Sequence, residues 1–193
     1  MTAGDGGRVI AGTARGIRLA APGSGTRPLG DRVKQTLFAI LEPDLPGANV
    51  LDLFAGSGAA GIEALSRGAA RATFVERDKA ATAVIAANLA HTHLGGERAR
   101  IIRTEALAWL RGPESAAVAP FGVVVLDPPY AEAALLADAL LAVGPLVAAG
   151  GRVVAKHFWR DPPQPEVGLL ASERERRFGE TALTFYRRVA EDA

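Results

Sequence analysis

Val50-Leu51-Asp52-Leu53-Phe54-Ala55-Gly56-Ser57-Gly58-Ala59-Ala60-Gly61 is the stretch that decides the fold. An apolar run reaches an acid, breaks into glycines and resumes as small helix-forming residues. The pattern predicts a strand over 48–54, a tight turn and a helix over 58–67. Glycines let the backbone turn sharply and approach a ligand closely, and the helix start presents free N–H groups. Gly56, Gly58 and Gly61 satisfy G-x-G-x-x-G, and Glu76 lies 20 residues beyond Gly56 at the end of the next predicted strand. That combination is the dinucleotide fingerprint, so an NAD-type ligand has to be weighed, with a bare strand–helix turn as the bland alternative. Asp52, before the glycines, suits a ligand with a cationic amino group and would repel a pyrophosphate.

Outward from this turn, strands and helices alternate. Strands are predicted at 71–76, 99–103, 121–126 and 151–156, with helices at 78–90, 104–111 and 131–142. Several strands are nearly continuous apolar runs, as expected of a parallel sheet covered on both faces. Residues 168–177 and 181–189, separated by Phe178-Gly179-Glu180, read as a closing hairpin, and 161–166 as a Pro-rich loop. In front, Arg8-Val9-Ile10 and Gly16-Ile17-Arg18-Leu19 read as a small β element. A helix is expected at 31–41, with Asp31 as its cap.

Of the 193 residues, 49% are apolar and 22% charged, which fits a globular domain with a sizeable core. The absence of cysteine excludes a disulfide scaffold, a thiolate metal site and a cysteine nucleophile. His91, His93 and His157 are too few and too scattered for a metal cluster, so no metal is expected. No long apolar run suggests a membrane span, and the N-terminus has no secretory core, so a cytoplasmic protein is expected. The net charge is only +1, yet residues 1–34 carry six basic residues against Asp5 and Asp31. A basic arm on an acidic body points to a polyanionic partner, or to no more than a solvated surface. The arm is expected to add little to the main core.

A second motif ends the fourth predicted strand: Val123-Val124-Val125-Leu126 runs into Asp127-Pro128-Pro129-Tyr130. Two prolines fix the loop in an extended form. The Asp127 carboxylate and the Pro128 carbonyl can then accept both hydrogens of an exocyclic amine, while Tyr130 stacks its ring.

With DLFAGSG, the acid at strand two and DPPY in place, the chain resembles S-adenosylmethionine-dependent N-methyltransferases acting on exocyclic amines of nucleic-acid bases. Arg8-Val9-Ile10-Ala11-Gly12, Arg15-Gly16-Ile17-Arg18-Leu19, Arg27-Pro28-Leu29-Gly30-Asp31-Arg32-Val33 and the tail Phe178-Gly179-Glu180-Thr181 with Tyr186 resemble the bacterial RsmD family in particular. Three positions depart from its pattern: Leu29 replaces a usual Thr, Glu105 a usual Asp, and Lys156-His157 a common acid. Lys156 could add a phosphate contact instead.

The resemblance implies a Rossmann-like class I methyltransferase: α/β, with a mostly parallel seven-stranded sheet, a C-terminal antiparallel hairpin and a small N-terminal β-hairpin extension. It divides the chain into a basic arm, 1–30, and a methyltransferase domain, 31–193. It implies methyl transfer from S-adenosylmethionine to guanine N2 of 16S ribosomal RNA, within a small ribosomal subunit or its assembly intermediate, with S-adenosylhomocysteine as product. Asp127, Pro128, Pro129 and Tyr130 would form the reacting site. The turn Phe54, Ala55, Gly56, Ser57 and Gly58 would hold the methionine part, with Asp52 near its amino group. Glu76 would hold the ribose, Glu105 and Ala106 the adenine, and Arg32 the cofactor carboxylate. Arg8, Arg15, Arg18 and Arg27 would meet RNA. A DNA adenine or cytosine amino-methyltransferase shares the acceptor loop, but little length remains for a sequence-reading domain. An NAD-dependent oxidoreductase lacks an evident catalytic His or Tyr-x-x-x-Lys, and an intact DPPY argues against a non-enzymatic RNA-binding module. Of the remaining residues, Trp109 is expected in the core and His91 and His93 in solvent. Asn88 reads as a helix-end residue and 173–177 as a charged strand face. Trp159 is open between loop packing and substrate stacking.

Overall fold

The computed structural model describes residues 4–23, 30–129 and 132–189. Arg27 and Tyr130 therefore lie outside the described residues. Five strands run parallel: β3 (Asn49–Leu53), β4 (Arg71–Glu76), β5 (Ala99–Arg103), β6 (Phe121–Leu126) and β7 (Val147–Phe158). Three more extend the sheet antiparallel: β8 (Glu166–Val167), β9 (Leu170–Phe178) and β10 (Thr181–Arg188). The order is β5-β4-β3-β6-β7-β10-β9-β8. This is the expected Rossmann-like α/β sheet with one strand more than the seven anticipated. The extra strand is a two-residue hairpin arm at the end of the Pro-rich loop. Gly168, at φ 57°, makes its turn so that Val167 pairs with Leu170.

Apolar residues alternate between two cores because successive strand side chains point to opposite faces. Val50, Val123, Val125, Val154, Leu183 and Phe185 pack under α1 (Asp31–Leu41), α2 (Ala59–Ser66) and α3 (Lys79–His91). Leu51, Leu53, Val124, Leu126, Val153 and Tyr186 pack under α4 (Ala106–Leu110), α5 (Pro113–Val118) and α6 (Ala133–Val143). Trp109 is buried in that second core, as expected, while His91 and His93 are exposed. The short helix α5 was not anticipated, although Pro113 at its first position is a start signal.

The N-terminal hairpin pairs β1 (Gly4–Arg8) with β2 (Arg18–Ala21). Its strands flank the expected runs. The loop between them is fastened instead to α2. Glu63 accepts from the Ile10 and Ala11 N–H groups at 2.7 and 3.0 Å, and Ser66 Oγ accepts from the Ala14 N–H at 2.9 Å. Val9, Ala14 and Leu19 are buried in the first core. Burying side chains the size of Val9 and Leu19 contributes roughly 1.5–3 kcal/mol each, so the arm adds more to the core than its composition suggests. Beneath it, buried Glu63 lies 3.6 Å from buried Lys34 and 2.8 Å from Arg67. Lys34 also donates to the Arg8 carbonyl, and burial holds its ammonium below the ordinary lysine range. Asp31 does not cap α1: Gly30 occupies that position, and Asp31 pairs with Arg8 at 2.9 Å.

Candidate active site

At the C-terminal edge of the parallel strands, β3 ends in Leu53 and the chain turns through Phe54, held at φ 63°. A side chain seldom adopts this left-handed conformation, and non-glycine residues found there cluster at ligand sites. Gly58 at φ 76° begins α2, and Gly61 lies one turn in. A Cβ on Gly61 would meet the Phe74 ring at 2.3 Å, so the third glycine permits the close approach of helix to β4. Glu76, ending β4, accepts from the Gly56 N–H and from the Asp78 N–H, both at 2.9 Å. It thereby fixes the glycine turn from across the strand gap.

These elements wall a cavity of about 640 Å³. Eight of the ten proposed cofactor residues line it: Asp52, Phe54, Ala55, Gly56, Ser57, Glu76, Glu105 and Ala106. Gly58 sits behind the wall against Ile85 and Phe74. Arg32 is exposed on the first turn of α1 and does not line the cavity. Asp127, Pro128 and Pro129 line the opposite side, and the arm contributes Ala21 and Pro22. Arg8, Arg15 and Arg18 are exposed.

The cavity is acidic. Among the described residues, six carboxylates (Asp52, Glu76, Asp78, Glu105, Asp127 and Glu132) line it against two cations, Arg77 and Lys156. Asp52 is buried and accepts from the Gly61 N–H at 2.8 Å. Burial raises its pKa to about 8 against the opposing Gly61 hydrogen bond, and the Asp127 and Glu76 carboxylates raise it further. A neutral or half-ionised carboxyl at physiological pH is therefore poised to ionise when a cation arrives.

Lys156 is not available as a separate phosphate contact. It reaches from β7 to ion-pair with Asp127, and both side chains are largely shielded. The two residues sit level because β6 and β7 pair Leu126 with Ala155. Asn88 is not a helix-end residue in role. It is buried on α3, where its Nδ2 donates to the Ser57 carbonyl at 2.9 Å and to the Ala20 carbonyl at 3.0 Å, and its Oδ1 accepts from the Ala20 N–H at 2.9 Å. One amide thus ties the arm to the glycine turn. His157 is buried and bonded to Thr184 at 2.9 Å, a structural role. Among the described residues no carboxylate or imidazole cluster has metal-binding geometry, and no helix is long and apolar enough to cross a membrane.

The family described as Conserved hypothetical protein 95 matches residues 7–187, nearly the whole described chain. The chain belongs to this family, the RsmD family of ribosomal RNA methyltransferases. The Bacillus subtilis protein YlbH, named provisionally as an rRNA methyltransferase, is 38% identical over 184 residues, covering 94% of this chain and 98% of that protein. Ribosomal RNA small subunit methyltransferase D of Haemophilus influenzae is 44% identical over 124 residues, 64% of this chain and 63% of that relative, so that match spans under two thirds of either. The solved structure of Escherichia coli YhhF, described provisionally as a methyltransferase, superposes with a TM-score of 0.81 at 35% identity, covering 95% of this chain and 98% of that one.

Proposed function

We propose that this chain transfers a methyl group from S-adenosylmethionine to the exocyclic N2 of a guanine in small-subunit (16S) ribosomal RNA. The observation that carries the reading is the cavity's charge. Six carboxylates against two cations, with the Asp127-Pro128-Pro129 corner on the wall, suit a cationic ligand beside an amine acceptor. The same charge disfavours the pyrophosphate of a nicotinamide dinucleotide. The cofactor is S-adenosylmethionine, which supplies an electrophilic methyl group on a sulfonium. The names of the relatives support a small-subunit ribosomal RNA substrate; the motif and the resemblance support the guanine and its N2 atom.

The residues present fit that cofactor. Asp52 offers a buried carboxyl for an ammonium, and Glu76 offers oxygens for ribose hydroxyls in exchange for its hold on Gly56 and Asp78. The backbone of Gly56 and Ser57 leaves room for the methionine part, and Glu105 with Ala106 meets the adenine. At the reacting end, Asp127 and the Pro128 carbonyl accept the two N–H bonds of the amine, whose lone pair is otherwise delocalised into the ring. Accepting them favours a pyramidal nitrogen and stabilises the positive charge that develops as the new N–C bond forms. As the N–C bond forms, the methyl–sulfur bond of the sulfonium breaks and S-adenosylhomocysteine leaves; Asp127 takes the proton released from the nitrogen, and Lys156 orients its carboxylate until the amine arrives. Tyr130 stacks the target base, and positioning supplies much of the remaining barrier reduction.

Residues 1–30 act as an RNA-facing arm anchored on a methyltransferase domain, 31–193, with Arg8, Arg15, Arg18 and Arg27 toward the phosphates. The substrate is a ribosomal subunit or its assembly intermediate in the cytoplasm. Mass mapping of methylated guanines in ribosomal RNA, from a strain with and without this gene, tests the reading. One N2-methylguanine in 16S RNA should disappear with the gene and return with the purified protein. An unchanged guanine map, or loss of a methylated adenine or cytosine in DNA, refutes it.

A further inference from the structure

We propose that Trp159, with Arg160 and Arg177 laid against its indole, is a stacking platform for an unpaired RNA nucleotide adjoining the target base. The inference rests on the RNA reading above and extends it to a second contact site. Trp159 follows β7, three residues beyond Lys156 and so within about 10 Å of it along the chain. It stands at the same sheet edge as the cavity: Phe158 pairs with Thr181, which pairs in turn with Phe178, so the ends of β7 and β9 meet around the start of β10.

The indole is half-buried. Its backbone N–H donates to the Glu180 carbonyl at 3.1 Å. The Arg177 guanidinium carbon lies 3.5 Å from the ring centroid, while Arg177 Nε donates to the Gly179 carbonyl at 2.9 Å. The Arg160 guanidinium carbon lies 4.9 Å from the same ring. Most arginines of this chain that make contacts are committed to carboxylates, among them Arg8, Arg67, Arg152 and Arg187. Arg160 and Arg177 pair with no carboxylate among the described residues and are gathered on an aromatic ring instead. Two unneutralised guanidiniums flanking a partly open indole offer a planar surface for a base and donors for its phosphate.

Electrostatics makes such a site necessary. The cavity mouth repels a phosphate backbone, so the RNA must be held from its flanks. The arm packs on α2 and α3, toward the β3–β5 side of the cavity. The Trp159 platform stands on the β7–β9 side. A single strand held by both would cross the cavity mouth with the target base pointing inward.

Trp159 and buried Trp109 are the only tryptophans, so fluorescence can report the site without methylation being measured. A short single-stranded RNA carrying a central guanine should quench the emission of the wild-type protein, and the quenched component should be missing in Trp159→Phe. Trp159→Ala and Arg177→Gln should each raise KM for the 16S RNA substrate about tenfold, in line with loss of one base stack or one desolvated cation. Maximal turnover at saturating RNA and affinity for S-adenosylmethionine should stay within about twofold. Trp159→Phe should recover most of the KM, which a purely structural loop contact has no reason to reproduce. The proposal is overturned if the folded variants methylate with unchanged KM and the RNA causes no quenching. It is also overturned if single-stranded DNA of the same sequence quenches and RNA does not. A wild-type protein that binds the cofactor and quenches with RNA, yet methylates no ribosomal RNA, instead sinks the functional reading and leaves the platform standing.

Discussion

Replacing Asp127 separates the chemistry of the site from its architecture. Its carboxylate is the proposed acceptor for the reacting amine and the partner of Lys156, with side-chain exposures of 24% and 15% for the pair. Removing a preorganised acceptor of this type costs roughly 3 kcal/mol at the transition state, or about a hundredfold in turnover. The ion pair sits between the exposed limit of about 0–1 kcal/mol and the buried limit of 3–5 kcal/mol. Asp127→Ala should therefore also cost about 1–2 kcal/mol of stability. It removes the carboxylate that Lys156 reaches at a cavity that must admit a sulfonium, so cofactor affinity should fall as well. Asp127→Ala/Lys156→Met removes the ammonium as well as the carboxylate. It should restore stability and cofactor affinity toward wild type while turnover stays about a hundredfold down. Lys156→Met alone should lose less turnover than Asp127→Ala. The assay is initial-rate transfer of labelled methyl to 16S RNA, with calorimetry for the cofactor and thermal unfolding for the fold. Turnover of Asp127→Ala within threefold of wild type would falsify the acceptor role. Affinity and stability unchanged between the single and double variants would show that the ion pair has no energetic weight.

Asp52→Asn should trade cofactor affinity for stability. The folded carboxyl has its pKa raised to about 8 against 3.8 normally, so the folded state holds an extra proton between about pH 4 and pH 8. Its contribution to stability is therefore lost as pH rises through that window. The variant should keep the Gly61 hydrogen bond, flatten the fall in Tm toward pH 8 and bind S-adenosylmethionine more weakly; a Tm–pH curve overlaying wild type contradicts the burial argument. Glu63→Gln removes the charge facing buried Lys34 and Arg67, at a cost of about 3 kcal/mol. That corresponds to a Tm about 10 °C lower for a chain of this size, measured by differential scanning; a drop under 2 °C would mean the cluster is not holding the arm. Replacing Arg8, Arg15 and Arg18 together by Gln should make the slope of log K against log salt for single-stranded RNA shallower by about 2, at about 0.7 per phosphate contact. Cofactor affinity should not change, and an unaltered slope would place the RNA away from the arm.

The lining of the cavity is largely legible in the sequence because its signals are local. The turn Gly56-Ser57-Gly58 with Gly61, the acid closing the next strand and the Asp-Pro-Pro corner each sit within a few residues of a strand end. A parallel sheet brings strand ends to one edge whatever the loops do. The strands of the arm were misplaced because their register depends on Glu63 and Ser66, more than 50 residues away, which take up the loop's N–H groups. Asp31 was misread for a related reason: a residue that can cap a helix locally was claimed by an arginine 23 positions earlier. Asn88 carried no signal, since nothing in a run of alanines tells a solvent-facing amide from one bridging two distant carbonyls. The eighth strand was hidden by its length of two residues, below what alternation can reveal.

Lys156 shows where residue-by-residue reading reaches its limit. A lysine in place of an acid looks like a lost contact, or like a new one for phosphate. Its position opposite Asp127 follows from the register of β6 and β7, which no local pattern contains. With that register known, its charge has a different consequence. Asp127 is the proposed acceptor for the amine, and the ion pair with Lys156 fixes where its carboxylate sits. The two aspartates thus sit in different environments: Asp127 is held by an ammonium beside it, and burial raises the pKa of Asp52 toward neutrality until a cationic ligand arrives. A cavity tuned in this way is inhospitable to phosphate. The proposed RNA contacts accordingly lie outside it, at arginines of the arm and at Arg160 and Arg177, which pair with no carboxylate among the described residues.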